Sequence, residues 1–282
     1  ARHLGGHAAS ASALAASRQR QALALLPAGG HAAARSLWAT LDGSYFTRHS
    51  AGEIAWHAQS LLHEGSGAAE GRPVIAARGA PGGEGLQVLV HTPDQPDLFA
   101  RLCGWFHRAG LSIHDARIHT SRSGWALDTF QISSAHPLAG EAGAGEADEQ
   151  KAATAALIAR VQTGLAAALA SRAALPAVRL GRQSARVRSF PLTPHVEWQS
   201  DDSGQRWRLS VTASDRAGLL YGISRVLAAH GISVELARIS TLGERAEDTF
   251  LLHSPDLAHA SVQMQVEQEL IAALQGSPPA KA

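Results

Sequence analysis

From Leu86 to Thr92, and again from Arg206 to Ala213, apolar and polar residues alternate, the period of a half-buried β-strand. A turn-rich stretch precedes each: GAPGGEG follows Val74–Arg78 and SDDSG follows His195–Gln199, so each segment is predicted to close a hairpin. The period then changes. Leu219, Ile223, Val226 and Leu227 fall on one face of a helix. Gly110 and Gly231 stand where the two predicted helices must stop, a position that favours left-handed backbone. Two more strands follow in each region, Leu111–Ser121 with Trp125–Ser133 and Ile232–Leu242 with Ala246–His253. Closing helices are predicted at Asp148–Ala170, after a Gly/Ala/Glu linker at Ala139–Glu146, and at His259–Leu274.

The two regions are copies of one another. DQPDLFARLCGWFHRAGLSIHDARIHT begins at Asp94 and DRAGLLYGISRVLAAHGISVELARIST at Asp215, an offset of 121 (215 − 94). It aligns Leu98 with Leu219, Gly110 with Gly231, Ser112 with Ser233, and Ala116-Arg117-Ile118 with Ala237-Arg238-Ile239. After a one-residue deletion, Asp128-Thr129-Phe130 aligns with Asp248-Thr249-Phe250. The predicted fold class is α+β: two ferredoxin-like βαββα modules with antiparallel sheets, each with an added hairpin strand. Residues 74–192 are read as the first module with its linker, 193–276 as the second, and 277–282 as a tail. Residues 1–73 read as a connector: Ala1–Gly30 is Ala-rich and weakly helical at best, and Ala32–Leu41 and Gly52–Leu62 are short amphipathic helices around the turn Asp42-Gly43-Ser44-Tyr45-Phe46.

Composition narrows the function. With 282 residues, two small domains and connecting material are expected, and an Ala rather than a Met at the start suggests a piece of something longer. A formal charge of +1 gives no field that would hold nucleic acid. No run of about 20 uninterrupted apolar residues stands out, so no membrane is expected. Cys103 is the single cysteine; it rules out an intrachain disulfide and a Cys-rich zinc site, and makes the cytoplasm the default compartment.

The chemistry concentrates in the strand-to-helix turn of each copy, Asp94-Gln95-Pro96-Asp97-Leu98 and Asp215-Arg216-Ala217-Gly218-Leu219-Leu220. A helix start offers unpaired amides and partial positive charge, which suit a carboxylate. Asp94 and Asp215 could cap the helices or accept a ligand ammonium, and Gly218 would admit a ligand close to the backbone. No catalytic or metal-ligating residues are assigned. No Asp-x-Asp pair exists for nucleotidyl transfer, and the one His-Asp dipeptide, His114-Asp115, falls in a predicted strand whose adjacent residues face opposite ways. His114 and His119 are placed on that same strand. Cys103 is read as core, Trp105 and Trp125 as packing residues, and Arg179, Arg182, Arg186 and Arg188 as a solvated strand edge. Lys151 and Lys281, the only lysines, follow no phosphate-binding glycines.

The repeat and its motifs resemble the ACT domain, a small module that usually senses amino acids and often occurs in pairs. YFTRHSAGEIAWH (Tyr45–His57), TPDQPDLFARLCGWFHRAG (Thr92–Gly110), ALDTFQ (Ala126–Gln131), RVRSFPLTPHVEW (Arg186–Trp198) and TLGERAEDTFLL (Thr241–Leu252) are similar to the C-terminal third of bacterial PII uridylyltransferases. That resemblance, over about Trp38 to Leu274, implies a glutamine-responsive regulatory region, with L-glutamine, the PII protein and upstream catalytic domains as partners. The parent enzyme would use Mg²⁺, and this chain no cofactor of its own. The two acidic loops would line the ligand sites, although Ala217 stands where the family usually has Pro. The alternative is a scaffold, oligomerisation or PII-docking module without an amino-acid site.

Overall fold

The computed structural model describes residues 2–63, 71–81, 85–134, 146–171, 173–181, 192–201, 206–242 and 244–276. The predicted linker up to residue 145, Arg182, Arg186, Arg188, Lys281 and the 277–282 tail lie outside them. The chain divides into two compact units, one of residues 1–76, 89–94 and 119–128, the other of 77–88, 95–118 and 129–282.

The first unit is led by four helices: α1 (Arg2–Ala24), α2 (His31–Trp38), α3 (Gly43–Arg48) and α4 (Ala51–His63). Two side-chain caps fix α3 and α4. Asp42 accepts from the Ser44 N–H at 2.6 Å. Ser50 and Glu53 form a reciprocal capping box, with Ser50 N–H to Glu53 Oε2 at 2.7 Å and Glu53 N–H to Ser50 Oγ at 3.2 Å. Ala22, Leu26, Trp38, Phe46, Ile54 and Leu61 form an apolar core around Tyr45. The Ala-rich start is thus more helical than its composition suggests. α1 runs 23 residues and packs on α3 and α4, and Ala22 is buried in the core, since alanine fits where helices approach closely. The predicted turn after Asp42 is itself a short helix.

The second unit holds the remaining helices and most strand residues, while the strand residues 74–76, 89–93 and 125–128 belong to the first. In chain order the strands and remaining helices are β1 (Val74–Gly79), β2 (Leu86–Pro93), α5 (Leu98–Arg108), β3 (Leu111–Arg117), β4 (Trp125–Ser134) and α6 (Glu146–Ala170). The second copy follows as β5 (His195–Ser200), β6 (Arg206–Ser214), α7 (Leu219–Ala229), β7 (Ser233–Arg238), β8 (Thr241–Leu242), β9 (Arg245–His253) and α8 (Ala260–Gln275). The sheet order is β1-β2-β4-β3-β7-β9-β6-β5, with β8 paired to β9. The second half of that order mirrors the first, as two like modules joined edge to edge require.

The joint is the antiparallel ladder of β3 and β7, which pairs Asp115 with Arg238, Ala116 with Ala237, and Arg117 with Leu236. At the offset of 121, Ala116 and Ala237 are counterparts, so this pair marks a local two-fold axis. Flanking it, Ile118 N–H reaches Glu235 O at 3.2 Å and Ile239 N–H reaches His114 O at 3.1 Å, equivalent bonds under the same offset. Gly110 and Gly231 stop α5 and α7 with φ of +71° and +62°, as their positions predict.

Two expectations need correction. β3 ends at Arg117, not Ser121, because the chain turns away after its last bond to the second copy, so His119 is not on the strand with His114. A bulge between Ile113 and Asp115 breaks the simple alternation expected at His114-Asp115; His114 contacts Ser133 Oγ at 2.6 Å and Asp115 pairs with Arg117 at 2.9 Å. Helix α6 meets the length and composition of a membrane span over Gln150–Ala170, although Arg160 and Gln162 interrupt its apolar run as the sequence expectation requires. Its apolarity is mostly alanine, and its Leu157, Val161 and Leu165 stripe is buried, with α6 packed on α5 through Gly164 and Trp105.

Candidate functional site

The β6–α7 loop is anchored at both ends. Asp215 N–H donates to Glu244 O at 2.8 Å, and Leu219 N–H to Arg216 O at 3.2 Å. The first copy repeats these bonds as Asp94 N–H to Gly124 O at 2.9 Å and Leu98 N–H to Gln95 O at 3.0 Å. Neither Asp94 nor Asp215 is a helix cap. The N-cap positions are Asp97 and Gly218, which removes the capping role considered from the sequence.

The loops differ at that cap. Asp97 has φ of −105° and its carboxylate pairs with Arg101 at 2.7 Å. Gly218 has φ of +89°, a left-handed conformation that side-chain-bearing residues rarely adopt. A Cβ there would meet Arg179 O at 2.9 Å and the His107 ring at 3.1 Å. The bare backbone of Gly218 thus allows an imidazole from the first copy to lie over the start of α7.

Beside this loop opens a cleft of about 400 Å³, within the range of small-molecule sites. One wall is the loop, Asp215 to Leu220, continuing to Tyr221. The opposite wall is the end of α5 and the start of β3, contributing Cys103, His107 and His114. Ile239, Thr241, Ala246 and Asp248 complete it. All predicted residues of the second loop therefore line one cavity. Arg216 also donates to the Leu274 carbonyl in the last turn of α8, a favourable place for a cation, and burial lowers its pKa. Ala217 O accepts from Gly181 N–H at 2.8 Å. Cys103 is buried, as expected for core, and also contributes to the cleft.

Asp248 was missed as a site residue. It is 2% exposed, on the face of β9 that also buries Ala246, Phe250 and Leu252. Its Oδ1 has no hydrogen-bond partner. Burial raises its pKa to about 7 against the pull of the Ser240 N–H, and the nearby Asp215 charge adds to the rise. Asp215 is itself raised by partial burial, opposed by the Arg216 N–H. The sequence signal was available: an acid in the apolar phase of a strand, repeated at Asp128.

In the first copy, Asp94 accepts from the Thr120 hydroxyl at 3.0 Å. Asp128 is fully buried with neither carboxylate oxygen hydrogen-bonded, and burial, reinforced by Asp94, pushes its pKa far above the carboxylate range. Gln95, Pro96, Asp97 and Leu98 complete the turn, with Leu98 buried at the start of α5. No group of three or more His, Cys, Asp or Glu side chains suited to a metal ion occurs among the described residues.

This fold and site define the class. Residues 207–261 match the ACT domain model, and residues 10–60 match the model described as uridylyltransferase GlnD fifth domain. The family is that of the bifunctional uridylyltransferase/uridylyl-removing enzymes, of which the chain is a regulatory ACT region. It is 47% identical over 242 residues to the enzyme of Cupriavidus pinatubonensis, covering 86% of this chain and 26% of the relative. To the Burkholderia thailandensis enzyme it is 44% identical over 276 residues, covering 96% of this chain and 30% of the relative. The chain thus spans under a third of the curated relatives it matches. Among solved structures, aspartate kinase from Synechocystis aligns at 17% identity with a TM-score of 0.33, covering 66% of this chain and 27% of that one.

Proposed function

We propose that this chain senses an amino acid, L-glutamine, and thereby regulates a longer bifunctional uridylyltransferase/uridylyl-removing enzyme acting on PII in the cytoplasm. The observation that carries this is the cleft at the β6–α7 loop, with the start of α7 on one side and two carboxylates on another. Amides at a helix start suit a ligand carboxylate, and the acids suit an ammonium, so the lining complements a zwitterion. Glutamine in particular rests on the family resemblance. The Mg²⁺-dependent transfer and the hydrolysis are assigned to other parts of the parent enzyme. Ligand acts by preferring one state of the region over another, since equal affinity for both would shift nothing.

Calorimetric titration with L-glutamine, L-glutamate and D-glutamine tests this. Saturable binding of L-glutamine alone is the expected result. Absence of binding by any of the three, on folded protein, would overturn it in favour of a scaffold.

A further inference from the structure

The cleft contains a buried acid with one carboxylate oxygen that the fold leaves without a partner. On β9, Ala246, Phe250 and Leu252 bury apolar groups on the same face as Asp248. A carboxylate in that row is unfavourable unless something cationic comes to it. Asp248 nevertheless lines the cleft with Oδ1 unpartnered, alongside Asp215 from the loop.

We propose that Asp248, with Asp215, is the seat of the ligand's ammonium group, and that ligand binding expels a proton from Asp248. This rests on the reading of the cleft as an amino-acid site. Two poles then face one ligand: loop amides take its carboxylate and the acid pair its ammonium. The first copy keeps the same two acids, Asp94 and Asp128, with Asp128 also buried and both of its carboxylate oxygens without a partner. Around them the copies diverge: Cys103, His107 and His114 have Ser224, Ala228 and Glu235 as counterparts.

The other ionisable groups of the cleft are Arg216 on the loop, Tyr221 on α7, Cys103 and His107 on α5, and His114 on β3. Arg216 is held by the Leu274 carbonyl, which keeps its charge engaged elsewhere. In the free cleft the Asp248 carboxyl retains its proton up to about pH 7. An arriving R–NH₃⁺ requires the carboxylate, so the acid proton leaves to solvent as the ion pair forms. The ammonium keeps its own protons.

The test is calorimetric titration of the chain with L-glutamine at pH 6, 7 and 8, each in buffers of differing ionisation enthalpy. Expected are nearly one proton released per ligand at pH 6, little at pH 8, and affinity about tenfold weaker at pH 6 than at pH 8. In Asp248→Asn the proton release and its pH dependence disappear and affinity at pH 8 falls at least about tenfold. N-acetyl-L-glutamine, which lacks the ammonium, does not bind. Binding of L-glutamine without proton release, or with equal affinity in Asp248→Asn, would overturn the assignment of Asp248 while leaving the sensor reading intact. Failure of L-glutamine to bind folded wild-type chain would overturn both. Should the variant fail to fold, proton release by the wild-type chain decides.

Discussion

Ala116 and Ala237 face each other at the centre of the β3–β7 ladder, both fully buried, each the counterpart of the other in the repeat. Because the cleft takes His107 and His114 from one copy and Asp215 and Asp248 from the other, its width is set by this ladder. Ala237→Phe introduces volume at a buried axis and is expected to cost about 1–3 kcal/mol. Thermal unfolding measures the stability loss, and titration with L-glutamine the accompanying loss of binding. An unchanged affinity would show that the cleft does not depend on the joint.

Gly218 admits no substitute. Ala at φ of +89° incurs the left-handed penalty of about 1–2 kcal/mol and places a methyl within 3.1 Å of the His107 ring. Gly218→Ala is expected to lower stability by at least that amount and to weaken L-glutamine binding strongly, read by denaturant unfolding and calorimetry. Gly222→Ala, whose added Cβ would sit in ordinary contact at 3.9 Å from Ala273, is the control and should be mild.

Trp105 lies over Gly164, where a Cβ would fall 2.2 Å from the indole. Gly164→Ala would ordinarily stabilise a helix by about 1 kcal/mol. Here a net loss of about 1–3 kcal/mol is expected, since α6 must move off α5. In a Trp105→Ala background the sign should reverse, a double-mutant cycle that chemical denaturation resolves.

The buried acids should make stability fall as pH rises towards neutrality. The raised pKa of Asp248 means that the folded state holds a proton the unfolded chain has already lost. Its stability contribution is fully present below the unfolded value, about pH 4, and is lost as pH rises through about 7. Asp128, raised for the same first reason, acts in the same direction. Asp248→Asn is therefore expected to raise the melting temperature relative to wild type at pH 8 and to give little gain near pH 4. Equal shifts at both pH values would show that Asp248 is not protonated when folded.

Tyr45 donates or accepts a 2.8 Å hydrogen bond with His57 Nδ1 in the first unit, and its ring meets Phe46, His49, His57 and His119 within 5.9 Å. Tyr45→Phe should cost about 1 kcal/mol, and Tyr45→Ala about 3–5 kcal/mol, by thermal unfolding.

Much of this was written in the order of residues. Alternation and the repeat at an offset of 121 located the strands and helices of both copies, because a strand with one buried face and a helix stop at glycine each leave a local mark. α1 left almost none: its buried residue in the core is Ala22, and alanine signals neither face nor partner. The end of β3 was misplaced since Ile118 continues the alternation, while strand pairing stops for a reason set by the other copy. The loop residues of the site were legible from their helix-start position. Asp248 was visible as a repeated Asp-Thr-Phe but could not be separated from mere kinship of the copies until its burial was known.

The axis through Ala116 and Ala237 is an internal one, carried on a single polypeptide. Two separate chains related by such an axis would be obliged to present identical residues on either side of it. A fused duplicate has no such obligation, and His107 opposite Ala228 in the repeat register shows the freedom in use. One of the two loops can therefore be retuned by point mutation, or abandoned, while its twin is left as it was.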